Sequence, residues 1–289
     1  MPTETNTQTT TETTSVITKV TPQPVNGIQE VPDRIMNIIN YWKGVYPGMQ
    51  IGYGLYSLDG KSGFEYNAHT LFNSACTIKA PYSYYVLKTC EEKGIDLYSD
   101  TIEYQAWQKD DGTSVISDYG TVGTYYSLDE LMRYLDGESD NTAYTMLTTK
   151  FPVSGMYNLI VPLGGQSDWQ KWGSASVTQR KNEWLAMYEY MNSGSYYGDM
   201  LRQYLSGTKY CYLVQCMQMF HGYIHKSGWT DDEPLYPAAN DCAIIDDQFL
   251  LIVMTQDYQN YKVGHYDVVQ ALGVVTETYI NQDCGGKIF

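Results

Sequence analysis

The sequence predicts an α/β fold, with one antiparallel sheet flanked by helices and an all-helical lobe set between the two halves of that sheet. Three observations carry this expectation. Residues 49–57 alternate like a strand, turn through Asp59-Gly60-Lys61-Ser62-Gly63, and return as a second strand over 64–66. Near the other end, residues 239–245 and 249–255 form a hairpin around Asp246-Asp247-Gln248. The segments between these strand pairs read mainly as helices, and strands at both ends of a chain with helices between them close into a mixed α/β arrangement.

Each element has its own warrant. Pro32 to Trp42 predicts a helix, with Asp33 in its first turn and Ile35, Ile38 and Ile39 on one face. A helix begins close to Cys76 and runs through Lys88, with Pro81 tolerated only in its first turn or two. Residues 96–126 form a mixed loop with several glycines. Ser127-Leu128-Asp129-Glu130 is a capping box, so a helix follows to about Leu135, and another begins near Asn141. Residues 164–178 read as a polar loop containing glycine and tryptophan. Helices follow at about 179–192 and 197–206, a strand at 223–230, and a last helix over about 266–279. The α/β lobe then comprises about 29–75 and 209–289, and the helical lobe about 76–208. The cleft between them is a natural place for a site. Residues 1–28 are Thr-rich and polar, with Pro22 and Pro24, which predicts a flexible tether.

Composition excludes several roles. A net charge of −15 with no basic run argues against nucleic-acid binding, which needs a positive patch to neutralise phosphate. No apolar run reaches the roughly 18 residues of a membrane-spanning helix. Met1 directly before the tether reads as a start that follows removal of an export signal, so the expected location is extracytoplasmic, either secreted or tethered to a bacterial membrane. A monomer is expected. The 29 tyrosines fit half-buried positions or a glycan-binding surface. The six cysteines match no zinc spacing, and the four histidines include no helical pair, so no metal and no cofactor are predicted. One structural disulfide is allowed, while Cys90 and Cys242 read as buried thiols. His221 and His225 share strand parity. His225 precedes Lys226 and faces away from it, which favours a structural role.

Three short motifs carry the chemistry. Cys76-Thr77-Ile78-Lys79 places a thiol and an ammonium one turn apart at a helix start, where the free N–H groups and partial positive charge favour a thiolate. Ser139-Asp140-Asn141 lies between two helices. Its serine can relay a proton, and its asparagine amide can hold both a lysine and a substrate carbonyl. Lys226-Ser227-Gly228 lies in a strand, where the lysine and hydroxyl suit a carboxylate and the glycine admits close approach. The backbone N–H groups of Cys76 and Trp229 can form an oxyanion hole. Trp107 and Tyr119 either stack on substrate at the cleft rim or merely pack.

In order and spacing these motifs resemble the S-x-x-K, S-D-N and K-T-G signatures of the class A β-lactamase and penicillin-binding protein superfamily, over about residues 30–280. The resemblance implies a β-lactamase-like α/β sandwich with a helical lobe and the site between them. It implies Cys76 as nucleophile, Lys79 as adjacent base, Ser139 as proton relay and Asn141 as substrate-orienting group. Lys226 and Ser227 take the carboxylate-recognition place, and Trp229 the second oxyanion position. Two departures stand out: cysteine replaces the nucleophilic serine, and no glutamate of the kind class A enzymes use for deacylation precedes residue 180, where Asp168 is the only carboxylate after Lys150. The expected function is acyl transfer on a β-lactam or D-alanyl-peptide carbonyl through a Cys76 thioester. The alternative is a non-catalytic or slowly acylating penicillin- or peptidoglycan-binding sensor.

Overall fold

The computed structural model describes residues 25–165, 170–230, 237–258 and 265–289. The chain begins with β1 (Ile28–Glu30), α1 (Asp33–Val45), β2 (Met49–Ser57), β3 (Gly63–Tyr66) and β4 (Phe72–Asn73). A 3-10 turn, Ala75–Ile78, leads into α2 (Lys79–Lys93). Next come β5 (Thr101–Glu103), α3 (Val115–Tyr119), β6 (Tyr125–Ser127), α4 (Leu128–Gly137), α5 (Asn141–Lys150) and α6 (Val153–Ile160). The chain ends with β7 (Ser174–Ala175), α7 (Val177–Met191), α8 (Tyr196–Ser206), β8 (Tyr223–Thr230), β9 (Ala238–Ile245), β10 (Phe249–Asp257) and α9 (Tyr266–Gln282).

Six strands form one sheet in the order β1-β3-β2-β10-β9-β8. Both predicted hairpins join it through the antiparallel β2–β10 pair. The sheet is mixed rather than wholly antiparallel, because β1 pairs parallel to β3, with Ile28 opposite Gly63. Three exposed residues carry no alternation, so that edge strand left no mark in the sequence. It also falls at the end of the segment expected to be a tether, whose residues 1–24 lie outside the described residues.

Both faces of the sheet are covered. On one, Ile51, Tyr53, Leu251 and Val253 pack with Ile35 and Ile39 of α1 and Val268 and Leu272 of α9. On the other, Leu250, Ile252 and Met254 pack against the helical lobe, including Trp184 of α7 and Leu201 of α8. This explains the unbroken apolar run in β10, since a central strand buried on both faces has no polar side to show.

The helix starts follow local chemistry. Ser127 accepts from the Glu130 amide at 3.2 Å and Glu130 accepts from the Ser127 amide at 2.8 Å, which completes the expected capping box of α4. Gly94 ends α2 in the left-handed region at φ 63°. Two expectations need correction. Residues 96–126 contain β5, α3 and β6, and β5 pairs with β6 from Thr101 to Ser127. The helix α6 was not foreseen. Its signals are Pro152 at the N-cap and buried Met156, Tyr157 and Ile160 on one face.

Candidate active site

The turn that carries Cys76 is held from several sides. Asn240 of β9 donates to the Asn73 carbonyl at 2.8 Å, and Arg180 of α7 donates to the Ser74 hydroxyl at 2.7 Å. Ala75 adopts φ 44°, a left-handed conformation that a residue with a side chain takes only when its surroundings enforce it. Cys76 lies on the 3-10 turn, ahead of the α-helix expected to carry it. With three residues per turn, side chains at i and i+3 eclipse, so Lys79 stands directly beyond Cys76. Pro81 falls in the first turn of α2, where its missing N–H costs no hydrogen bond.

Gly228 explains how the strand meets this turn. A Cβ at 228 would lie 2.5 Å from the backbone nitrogens of both Cys76 and Thr77. The glycine therefore lets β8 press against the nucleophile's own backbone, a tighter requirement than the expected approach of substrate.

Ser139 also adopts a left-handed φ, 55°. Asp140 holds it there from the next position. Its carboxylate accepts from the amides of Ala143 at 2.8 Å and Ile116 at 2.9 Å, capping α5 and tying down α3. Lys79 Nζ donates to Asn141 Oδ1 at 2.7 Å and to the Ser139 carbonyl at 2.5 Å, and lies 3.4 Å from Ser139 Oγ. Lys226 Nζ donates to Ser139 Oγ at 2.8 Å. Cys76 Sγ sits 3.9 Å from Asn141 Oδ1. Residues from the three motifs are thus joined around one sulfur, with both lysines fully buried.

A cavity of about 320 Å³ opens beside Cys76, bordered by Asn141, Asp110, Asp111, Trp172 and Trp229. Ser227 lies on the opposite side of β8 from Lys226. Its hydroxyl donates to the Tyr210 carbonyl. Trp107 and Tyr119 are both strongly exposed. Asp168 lies outside the described residues. Glu183 is buried against Arg180 in an ion pair. Sequence reading missed Trp172, whose ring centre is 5.5 Å from Lys79 Nζ; its only signal was a tryptophan in an otherwise polar loop. It also missed Asp136 of α4, fully buried, which accepts from Ser83 of α2 at 2.7 Å.

Electrostatics separate Cys76 from the other thiols. Burial pushes the Cys76 thiol up. Lys79, Lys226 and hydrogen bonds from Ser139 and Lys79 outweigh that and hold it below the ordinary thiol value. Burial raises Cys90 to about 12 and also raises Cys242 and Cys284. All six cysteines are unpaired. Burial lowers Lys226 to about 8, against the pull of Cys76 and with Lys79 adding to the depression. Burial pushes Asp136 up to about 7, against Ser83, Lys226 and Lys79.

A family model described as the β-lactamase enzyme family matches residues 31–276. No curated protein is significantly similar in sequence. Among solved structures, a β-lactamase from Chitinophaga pinensis is similar over 86% of this chain and 100% of its own, at 18% identity and TM-score 0.72. A β-lactamase from Sphaerobacter thermophilus is similar over 87% and 97%, at 17% identity and TM-score 0.71. A PBP-A mutant in an acyl-enzyme complex with penicillin G is similar over 90% and 99%, at 14% identity and TM-score 0.71. At these identities the likeness shows the fold, a mixed sheet flanked by helices with a helical lobe.

Proposed function

Because the chain belongs to the β-lactamase enzyme family, we propose that it is an acyl-transfer hydrolase whose Cys76 attacks the amide carbonyl of a β-lactam or D-alanyl peptide. The observation that carries this reading is the hydrogen-bonded set Asn141–Lys79–Ser139–Lys226 around a thiol held below its ordinary pKa. A thiolate is the reactive form, so the site favours the nucleophile before substrate arrives. The C–S bond forms as the C–N bond breaks. Because the sulfur attacks as thiolate, the departing nitrogen takes its proton from the Lys79 ammonium by way of Ser139, and Lys79 regains a proton when the thioester is hydrolysed. Water then cleaves the thioester, releasing the acid and restoring the thiol. The amides of Cys76 and Trp229 hold the developing oxyanion, which the close packing of Gly228 on the Cys76 backbone supports. Lys226 offers charge to a substrate carboxylate. Ser227, turned to the other side of β8 and bonded to the Tyr210 carbonyl, is not placed to join it.

A second reading, a slowly deacylating penicillin- or peptidoglycan-binding sensor, is favoured by one observation. Asp110, at the cavity wall, is tied to Lys171 and Thr145 and so is poorly placed to activate water. Both readings take the protein to be extracytoplasmic and monomeric, with its site between an α/β lobe and a helical lobe.

Mass spectrometry after incubation with penicillin G tests the proposal. The expected result is one penicillin added to the Cys76 peptide. An adduct that decays within minutes supports the hydrolase, and one that persists for hours supports the sensor. An accessible Cys76 that stays unmodified at saturating penicillin G and with a D-alanyl-D-alanine thioester defeats both.

A further inference from the structure

We propose that Cys211, His225 and Asp241 form a binding site for a borderline-soft divalent cation, Zn²⁺ foremost, on the face of the β8–β9 pair opposite Lys226. The sulfur, an imidazole nitrogen and a carboxylate oxygen of these residues all lie within 4.8 Å of one another. His225 Nδ1 and Asp241 Oδ1 are 3.8 Å apart. Tetrahedral zinc bound at its usual N, O and S distances sets neighbouring ligand atoms about 3.3–3.7 Å apart, so the donors would close by up to about 1 Å around the ion.

The same two atoms are anomalous without a cation. His225 and Asp241 are more than nine-tenths buried, yet Nδ1 and Oδ1 have no hydrogen-bond partner among the described residues. Buried polar atoms are rarely left so, and two facing each other mark a place for something that bonds both. The other carboxylate oxygen of Asp241 is fixed, accepting from the Tyr212 and Leu213 amides at 2.8 and 3.0 Å. That bond brings the loop carrying Cys211 onto the strand pair and aims Oδ1 at His225. The Val214 and Gln215 amides also point at the Cys211 sulfur, which holds it on the side of the strand pair where His225 and Asp241 face each other. A cation would take the sulfur as its thiolate while the proton leaves to solvent. Cys211 is partly exposed, which gives a cation access and leaves the fourth tetrahedral position for water.

The donor set selects the ion. One thiolate, one imidazole and one carboxylate suit zinc or cobalt rather than calcium or magnesium, which prefer oxygen alone. No sequence spacing reveals the site, because its ligands come from a loop, from β8 and from β9. A bound ion would clamp residues 208–213, already joined to β8 by Thr208 and Ser227, to the strand that carries Lys226.

The test uses the full chain, reduced and stripped with chelator, then titrated with Co²⁺ and Zn²⁺. One equivalent of Co²⁺ is expected to give visible bands of tetrahedral cobalt and a thiolate-to-cobalt charge-transfer band, both displaced by one equivalent of Zn²⁺. Cys211→Ser should abolish the charge-transfer band. His225→Gln should weaken zinc binding by about 100-fold or more, the loss expected of a direct ligand. Cys76→Ser should retain both signals, which separates this site from the acylation site. The proposal is overturned if the parent gives no charge-transfer band, if Cys211→Ser keeps it, or if His225→Gln binds zinc as tightly as the parent. Circular dichroism confirms that each variant is folded. If Cys211→Ser is not, the His225→Gln titration alone decides.

Discussion

At the scale of the residue, Cys76 differs from the two other buried cysteines, Cys90 and Cys242, in its charges rather than in its burial. Burial disfavours the thiolate at all three, but only at Cys76 do the nearby lysines, Lys79 and Lys226, outweigh it. The order of reactivity follows. Iodoacetamide should modify Cys76 first, with a pH midpoint below the roughly 8.5 of a free thiol. Lys79→Met removes the nearer positive charge and should move that midpoint up. Each unit of rise lowers the alkylation rate at pH 7 by about tenfold. Peptide mass spectrometry across pH 5–9 checks both. An unchanged midpoint in Lys79→Met would show that the lysine does not set the thiolate. The sequence made this much legible, because Cys76, Lys79, Ser139, Asn141 and Lys226 sit in three short motifs whose local geometry is strongly constrained. Ser227 was less legible. Strand alternation turns it to the side opposite Lys226, where its hydroxyl meets Tyr210.

At the scale of the element, the helices were readable wherever their ends carry chemistry in the sequence itself. Ser127 and Glu130 announced α4, whereas α6, starting from Pro152 without a side-chain cap, passed unnoticed. Asp136 shows what an element-level reading cannot supply. It looks like any polar residue near a helix end, yet it is fully buried, bonded by Ser83 of α2 and within electrostatic reach of Lys79 and Lys226. Its carboxyl titrates at about 7 in the folded protein and near 4 when unfolded. Between those values the folded state binds the extra proton, so stability falls as pH rises from about 4 to about 7. Asp136→Asn keeps a neutral, Ser83-bonded side chain and removes that dependence. Urea denaturation at pH 5 and pH 8 should show the parent losing about 2–4 kcal/mol more than the variant over this interval. Equal losses would mean that the buried carboxyl is not the group that titrates.

At the scale of the whole molecule, the arrangement follows from a sheet that must be covered twice. The apolar run of β10 requires partners on both faces, and α1 and α9 supply one layer while the helical lobe supplies the other. The two hairpins and the central helices were legible for that reason, since each carries a buried face written into its residues. The parallel edge strand β1 was not, because its register depends on a distant partner and its side chains are exposed. That contrast sets the last expectation. Deleting residues 1–24, the greater part of the 1–28 segment read from composition as a tether, should leave both the urea midpoint and the rate of acylation by penicillin G unchanged. Extending the deletion through Val31 also removes β1 and the packing of Val25 and Val31 against the cluster built on α1 and α9. Two half-buried valines and one strand pairing correspond to a loss of about 1–3 kcal/mol. The lost strand borders β3 and lies far across the sheet from Lys226 on β8. Acylation of the folded fraction should therefore remain within about twofold of the parent while the midpoint falls. A matching loss of acylation rate would show that the edge strand reaches the site, and that the sheet does not insulate its two ends.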